Sequence, residues 1–254
     1  MLFRSAKYIE NAFIKDIVEI GGKTYKLDNA FGWFIGAYLS EGNVNKNDIC
    51  ITNIADHYIE SVLKIAKLFE REGGVKRYKG EYGPGVTTHF GHKDLSKFIV
   101  ETCGTGSFVK RVPDFAFTAP NEFKAGLFQG YFDGDGNFQC DATHHQMRAC
   151  SRSEQLIKDL ALILNYFNIF GTIKKENNTR GSALFHLNIS PKYARQYMET
   201  IGTELHKEVL NNIIAHIERG ESSKSKDCGI ICPDRNDKIN GLGHIIARCG
   251  KVLG

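Results

Sequence analysis

The order of apolar and polar positions predicts the same series of elements twice along the chain. The first series is a helix, a strand-like stretch, a helix, two strands and a helix, at 31–42, 47–53, 59–69, 75–78, 86–90 and 94–102. The second series is at 125–136, 137–150, 154–167, 172–175, 183–189 and 192–200. With the strand-like stretch counted as the first pair of strands, each half has the order α-β-β-α-β-β-α.

The two series begin with segments that resemble each other residue by residue. Shifting Phe31–Gly42 by 94 positions, as from 32 to 126, places it on Ala125–Gly136. Four matched pairs result: Gly32 with Gly126, Gly36 with Gly130, Gly42 with Gly136, and Glu41 with Asp135. A repeated supersecondary unit of this kind sets the architecture of the whole chain.

Two glycines four positions apart lie on one face of a helix. Each costs roughly 0.5–1 kcal/mol relative to alanine in a helix interior, so close approach of two helix backbones is the expected compensating gain. We expect Gly32 and Gly36 to pack against Gly126 and Gly130 on a pseudo-twofold axis.

That packing would bring the acidic ends of both helices together. Glu41 and Asp135 each stand one residue before a glycine at the predicted helix end. Like charges at short range raise a pKa unless a cation neutralises them, and carboxylate oxygens suit Mg²⁺ or another divalent cation. Metal ions held in this way can activate water and stabilise the leaving oxygen of a phosphodiester.

The two segments resemble the paired motif of the LAGLIDADG homing endonucleases, in particular the group borne by inteins. The resemblance spans about residues 28–218 and implies an α+β fold. In that fold two pseudo-twofold halves form a DNA-binding β-saddle around central motif helices. It implies that Glu41 and Asp135 are the metal ligands, although glutamate replaces the commoner aspartate at the first position. Asp133 has Leu39 as its counterpart, which argues against a core catalytic role.

The same resemblance implies a lysine near each cleavage centre. Lys110 lies in Lys110-Arg-Val-Pro113, six residues after Gly104, and Lys207 follows the matching Gly202 by five. Such a lysine could polarise the attacking water or stabilise the pentavalent phosphate.

The strands of both halves are expected to enter the major groove of a double-stranded DNA target, because β-ribbons fit that groove. The two halves differ in the polar residues of these strands, so we expect a long, asymmetric target. The candidate contacts are Lys46, Lys76, Arg77, Lys79, His89, Gln139, Arg148, Arg152, Lys174, Lys175, Arg180 and Asn188.

Composition and charge narrow the classes of protein that fit this sequence. The net charge of +4 is compatible with nucleic acid, and seven scattered cysteines argue against a secreted disulfide framework. Neither a signal peptide nor a membrane span is recognisable, so we expect an intracellular protein. Its internal pseudo-dimer symmetry predicts a monomer. The expected organisation is an N-terminal extension (1–27), a first half (28–120), a second half (121–220) and a linker with tail (221–254).

Two alternatives stay open. A DNA- or RNA-binding relative, such as a maturase or a transcription regulator, could keep this fold without cleaving. An unrelated protein could merely pack two glycine-containing helices, and loss of DNA affinity with rising salt would separate that case from both nucleic-acid functions. The tail residues Cys228, Cys232, His244 and Cys249 could bind Zn²⁺ only through a loose spacing, and no self-splicing is expected.

Overall fold

The computed structural model describes residues 14–80, 83–141, 144–177 and 182–219. These residues form two compact units. The first contains the described residues up to Asp135 together with Ile201–Glu204, and the second contains Gly136–Thr200 and the described residues from Leu205 onward. The tail residues named above lie outside the described part of the chain.

The first unit contains a short hairpin, a four-stranded sheet and four helices. The hairpin is β1 (Ile17–Ile20) and β2 (Lys23–Lys26), and the sheet strands are β3 (Gly42–Asn45), β4 (Asp48–Thr52), β5 (Gly74–Gly80) and β6 (Gly83–Gly91). The helices are α1 (Asn29–Glu41), α2 (Asp56–Leu68), α3 (Lys93–Cys103) and α4 (Asn121–Asp135), with a 3₁₀ turn at Asp114–Phe117.

The second unit repeats the sheet of the first. Its strands are β7 (Gly136–Cys140), β8 (His145–Ser151), β9 (Gly171–Asn177) and β10 (Ala183–Ile189), and its helices are α5 (Glu154–Leu164), α6 (Ala194–Thr200) and α7 (Lys207–Glu218). The strand orders, β3-β4-β6-β5 and β7-β8-β10-β9, are the same, and every neighbouring pair is antiparallel. The predicted α+β class and element order are confirmed.

Several details differ from the expected elements. The strand-like stretch at 47–53 is the second arm of a hairpin, because Gly42–Asn45 already pairs with it through a turn in which Lys46 is left-handed, with φ 57°. The helix expected to reach Phe167 ends at Leu164 in a 3₁₀ turn. Hairpin β1–β2 lies in the N-terminal extension and helix α7 lies near the end of the second half, and neither element was predicted.

Helix α1 is buried on every side. Its nine consecutive residues 31–39 are all buried, so it lacks the single apolar stripe of a surface helix. Asp28 begins it by accepting a hydrogen bond from the Phe31 N–H at 2.9 Å. Helices α2, α3 and α5 each bury one face, and they pack against one side of a sheet. No described helix combines the length and apolar character needed to cross a lipid bilayer.

Candidate active site

Helices α1 and α4 pack along their glycines in a reciprocal way. A methyl group on Gly36 would overlap the Leu127 carbonyl, and one on Gly130, its counterpart, would overlap the Trp33 carbonyl. Because Leu127 and Trp33 are also counterparts, the two contacts are related by a local twofold axis. Gly32 and Gly126 repeat the relation one turn earlier, against the carbonyls of Phe123 and Asn29. Any residue larger than glycine would force these backbones apart.

This packing brings the two predicted acids together at one end of the helix pair. Glu41 ends α1 and Asp135 ends α4, and each is only partly exposed. Burial raises the pKa of Asp135 to about 7, with a further contribution from the negative charge of Glu41. Burial also raises the pKa of Glu41, which the charge of Lys110 partly opposes. The pair is therefore a site of concentrated negative charge that favours a bound cation.

Lys110 is buried beneath the end of α1, with 6% of its surface exposed. Its ammonium donates hydrogen bonds to the carbonyls of Tyr38, Leu39 and Gly42, at 2.8, 3.1 and 2.8 Å. A cation at this end opposes the negative end of the helix dipole. Burial lowers the pKa of Lys110 to about 8, and the charges of Asp135 and Glu41 counteract that shift.

A hydroxyl network lies between the helices, close to their acidic ends. Tyr58, fully buried in α2, donates to the Gly130 carbonyl at 2.8 Å, and its oxygen lies 3.1 Å from the Ser40 hydroxyl. A side chain at Gly134 would overlap that hydroxyl. Gly134 is the counterpart of Ser40, so the network belongs to one half only. Sequence reasoning missed it because it has no repeated counterpart.

Asp133, on α4, holds the neighbouring segment 201–204. Its buried carboxylate accepts a hydrogen bond from Thr203 at 2.7 Å, and the His57 imidazole lies 3.9 Å away. Burial raises the pKa of Asp133, and the Thr203 hydrogen bond counteracts part of the shift. One turn earlier, Gln129 donates to the Ile201 carbonyl. Asp133 thus anchors the segment 201–204, which accounts for an acid that has no counterpart in the first half.

The second candidate lysine is placed differently from the first. Lys207 is the exposed first residue of α7, in the second unit, whereas Lys110 is buried. Its assignment to a cleavage centre stays a prediction.

Residues 122–202 match the family model of the LAGLIDADG-like domain. The chain carries a LAGLIDADG-like domain. The matched range covers α4, with Asp135, and the elements of the repeated sheet through α6. The resemblance drawn from the paired segments is therefore confirmed.

Solved LAGLIDADG structures have the same fold. The homing endonuclease I-DmoI in complex with DNA and Mn aligns with a TM-score of 0.52 at 14% identity, over 70% of this chain and 98% of that one. The N-terminal LAGLIDADG domain of DUF199/WhiA aligns with a TM-score of 0.52 at 14% identity, over 84% of this chain and 98% of that one.

Curated relatives at the sequence level are much longer proteins. The DNA-directed RNA polymerase subunit Rpo1C of Methanocaldococcus jannaschii is 31% identical over 249 residues, which is 96% of this chain and 27% of that protein. A DNA polymerase of Thermococcus kodakarensis is 23% identical over 234 residues, which is 85% of this chain and 13% of that protein. The chain thus spans about a quarter or less of the relatives that it matches.

The sheet of the first unit has one face covered by helices and one open face. Ile49, Ile51, Val86 and Phe90 are buried on the helix side, and strand alternation places the residues between them on the open side. Among the predicted DNA contacts, Lys76 and His89 lie on the open face. Lys76 pairs with Thr87 of β6, and His89 pairs with Cys50 of β4. His89 lies 3.3 Å from Asp48 there.

Two other predicted contacts of this sheet lie on its opposite face. Arg77 pairs with the buried Val86, and Lys79 pairs with Pro84, so both share the helix side although they are exposed. Lys46 occupies the exposed β3–β4 turn.

The sheet of the second unit has the same two faces. Phe138, Met147, Leu187 and Ile189 are buried on the helix side. The predicted contacts on the open face are Gln139, Arg148, Lys174 and Asn188. Lys175 instead lies on the helix side, with its ammonium 5.7 Å from the Phe185 ring centroid. Arg152 is exposed just after β8, and Arg180 lies outside the described residues.

The chemistry of the acidic pair fits a divalent cation. Among the described residues, no cluster of three or more His, Cys, Asp or Glu side chains could hold a metal ion. Two carboxylates alone suit Mg²⁺, which typically keeps several waters and is bound by one or two carboxylates together with substrate phosphates. Glu41 and Asp135 are the residues that would hold such an ion.

Proposed function

We propose that this protein is a site-specific DNA endonuclease that hydrolyses phosphodiesters of a long, asymmetric duplex target with a divalent cation, preferably Mg²⁺. The observation that carries the proposal is the juxtaposition of Glu41 and Asp135. Each is the last residue of a motif helix, and reciprocal glycine packing holds the two helices together. Carboxylates with raised pKa values at the end of a rigid helix pair are suited to binding a cation rather than to stabilising the fold.

Each polar group of the site has a separate task in this proposal. Glu41 and Asp135 would hold the cation. A bound Mg²⁺ supplies charge stabilisation and a more acidic water. Lys110 has its hydrogen bonds directed to backbone carbonyls, which favours an electrostatic role over direct contact with the attacking water. Its charge keeps both carboxylates more readily ionised.

The open faces of the two sheets supply the contacts to DNA. Lys76 in the first unit and Arg148 and Lys174 in the second are cations on those faces. Solved complexes of I-DmoI with DNA support such a role for this fold. A monomer is sufficient, because one chain supplies both acids and both sheets.

The relatives suggest how the domain is carried. An RNA polymerase subunit and DNA polymerases are different enzymes, yet each contains a small stretch similar to this chain. A domain that occurs in unrelated hosts is typical of a mobile insertion. We therefore propose an origin within larger host proteins, as in the intein-borne group.

The deciding experiment is cleavage of a randomised duplex DNA library with Mg²⁺ or with EDTA. The wild-type chain and Asp135→Asn are compared, and Asp133→Asn serves as the matched control because an asparagine oxygen can still accept the Thr203 hydrogen bond. We expect discrete double-strand cuts that require Mg²⁺, vanish in Asp135→Asn and persist in Asp133→Asn.

Other outcomes separate the alternatives. Enrichment of one sequence without cutting would indicate a DNA-binding relative without cleavage and would overturn the endonuclease proposal. If the protein neither cuts DNA nor binds it in a salt-sensitive way, both nucleic-acid functions are excluded.

A further inference from the structure

A single row of polar side chains crosses the open face of the second sheet. Asn137 on β7 pairs with Arg148 on β8, Arg148 pairs with Asn188 on β10, and Asn188 pairs with Thr172 on β9. Residues directly opposite each other on neighbouring strands point to the same face. We call these four residues the Arg148 row. All four are partly or fully exposed.

The first sheet has a row at the equivalent place. Its members are Asn43, Cys50, His89 and Gly74, paired in the same strand order. We call these residues the Cys50 row. Asn43 and Asn137 are counterparts in the repeat, but the central arginine of one row is a cysteine in the other. The two sheets therefore offer different hydrogen-bonding groups at one shared position.

Arginine and asparagine have specific partners in the major groove. An arginine guanidinium donates two hydrogen bonds to O6 and N7 of guanine, and an asparagine amide pairs with N6 and N7 of adenine. A cysteine is only a weak donor and acceptor, so the centre of the Cys50 row lacks such a bidentate group.

Resting on the proposed function, we propose that Arg148 is a specificity-determining residue that reads a guanine in the half-site bound by the second unit. Asn188 reads an adenine at the same or the next base pair. Their Cβ atoms are about 5 Å apart by sheet geometry, which is about one and a half times the roughly 3.4 Å rise of a base pair, so the two side chains can reach the same or adjacent base pairs. The corresponding position of the other half-site has no guanine requirement, because Cys50 occupies it.

The surroundings of Arg148 support this assignment. Its charge lies near Glu176 and His186 on the same face. The hydrogen bond from Lys174 is the main cause of the lowered pKa of Glu176, and burial is the main cause of the lowered pKa of His186; the charge of Arg148 adds to both shifts. Glu176 is paired with Lys174 at 2.7 Å, so Arg148 does not supply its closest cation. Among the residues that the structure describes, no carboxylate forms an ion pair with Arg148.

The test measures base preference with the full-length chain. A randomised duplex library is selected by binding in Ca²⁺ or by cleavage in Mg²⁺, and base frequencies are compared at each target position. The variants are Arg148→Gln, Cys50→Arg and the control Arg195→Gln. Cys50→Arg places an arginine at the equivalent position of the first sheet. Arg195 is an exposed arginine of α6 paired with Glu199 and Glu218.

We expect Arg148→Gln to lose guanine preference at one position by about 5- to 150-fold and to shift toward adenine, which glutamine can read. Cys50→Arg should create a new guanine preference in the opposite half-site, and Arg195→Gln should change no position. Unchanged preference in Arg148→Gln, with selection of a target otherwise intact, would overturn the inference and leave the endonuclease proposal standing. If even the wild type enriches no sequence, the proposed function fails as well.

A uniform loss of affinity in Arg148→Gln, without a change at any single position, would also overturn the inference. It would assign Arg148 to the phosphate backbone. Melting curves of all variants exclude misfolding as the cause, and Cys50→Arg tests the inference by a gain that misfolding cannot produce.

Discussion

Helices α1 and α4 are equivalent where they touch and different where they end. Along their contact, each glycine of one helix faces a backbone carbonyl of the other helix. The glycine at the matching position of the second helix faces the matching carbonyl of the first. At the end of α1, however, Lys110 binds three carbonyls and Ser40 joins a hydroxyl network with Tyr58. At the end of α4, the residue equivalent to Ser40 is Gly134, and Asp133 instead binds Thr203.

This difference separates two requirements of the site. Close packing fixes the spacing of Glu41 and Asp135 and tolerates little divergence between the halves. The support behind each acid can differ, because a lysine, a hydroxyl or an anchored loop can each hold a helix end. The acids should therefore respond alike to changes in the packing and differently to changes in the support.

The largest effect is expected from the acids themselves. Asp135→Asn or Glu41→Gln should reduce the cleavage rate by at least about 100-fold, since each removes a proposed ligand of a cation whose charge stabilisation would amount to several kcal/mol. DNA affinity in Ca²⁺ should change little. Single-turnover cleavage measures the first quantity and a filter-binding assay the second. An active Glu41→Gln variant would show that the two acids are not equivalent.

Next in size is the effect of enlarging a packing glycine. Gly36→Ala and Gly130→Ala should each destabilise the fold by about 3 kcal/mol, because the new methyl group meets a backbone carbonyl that cannot rotate away. Reciprocity predicts that the two losses are similar. Urea unfolding gives both values, and losses that differ by more than twofold would contradict the local twofold packing.

A smaller loss is expected for Lys110→Met. Removing its ammonium leaves three carbonyls at the end of α1 without their donor, which should cost about 2 kcal/mol and reduce cleavage as well. Lys124→Met is the matched control. Lys124 is also buried, with a pKa lowered to about 8 by burial, but it donates to the Ala119 carbonyl at the start of α4.

The control should lose stability and keep the cleavage rate of folded protein. Thermal unfolding with single-turnover cleavage distinguishes the two variants. Equal losses of cleavage in both would mean that Lys110 acts only through stability.

Gly134→Ala should destabilise by about 1 kcal/mol, because the obstacle there is the Ser40 side chain rather than backbone. The double variant Gly134→Ala with Ser40→Gly should recover part of that loss, since the methyl group then has room. A double-mutant cycle of unfolding free energies measures the coupling. Strictly additive losses would show that Ser40 does not limit the space at Gly134.

The smallest expected effect is on the pH dependence of stability without metal. The pKa of Asp135 is raised to about 7, so the folded state holds this proton more tightly than the unfolded state does. Its contribution is therefore complete below about pH 4 and is lost as the pH rises to about 7. After discounting for solvent screening, we expect about 1 kcal/mol, or roughly 2–4 °C in Tm.

The comparison that isolates this effect is the wild type against Asp135→Asn. The Tm of the wild type relative to the variant should fall between pH 4 and pH 7, and Mg²⁺ should reverse the fall. A constant difference across that range would exclude Asp135 as its source.

The repeat made the central helices and their acids predictable from the sequence. Helical spacing of Gly32, Gly36, Gly126 and Gly130 carries its own geometry, and a matched acid at each helix end follows from the alignment. Element order was accessible for the same reason.

The sheet face on which each strand residue lies was harder to predict from the sequence. Lys76 and Arg77 are adjacent in sequence and equally polar, so only the register with Thr87 and Val86 shows that they point to opposite faces. Hydrogen bonds to backbone carbonyls, such as those of Lys110, leave no pattern in the sequence. The Ser40–Tyr58 contact joins residues of different helices and has no repeat to reveal it.

The junction between each motif helix and its sheet has a further consequence. Glu41 ends α1 and Gly42 begins β3, and Asp135 and Gly136 are likewise consecutive, so no loop separates an acid from the strand that follows it. A strand advances about 3.3 Å per residue, so each residue of β3 and of β7 is a fixed number of residue steps along the chain from the acid that precedes its strand. Substitutions on β3 or β7 should therefore change which bases are preferred without moving the scissile bond. Such a protein could acquire new DNA targets while the position of cleavage within the target stayed constant.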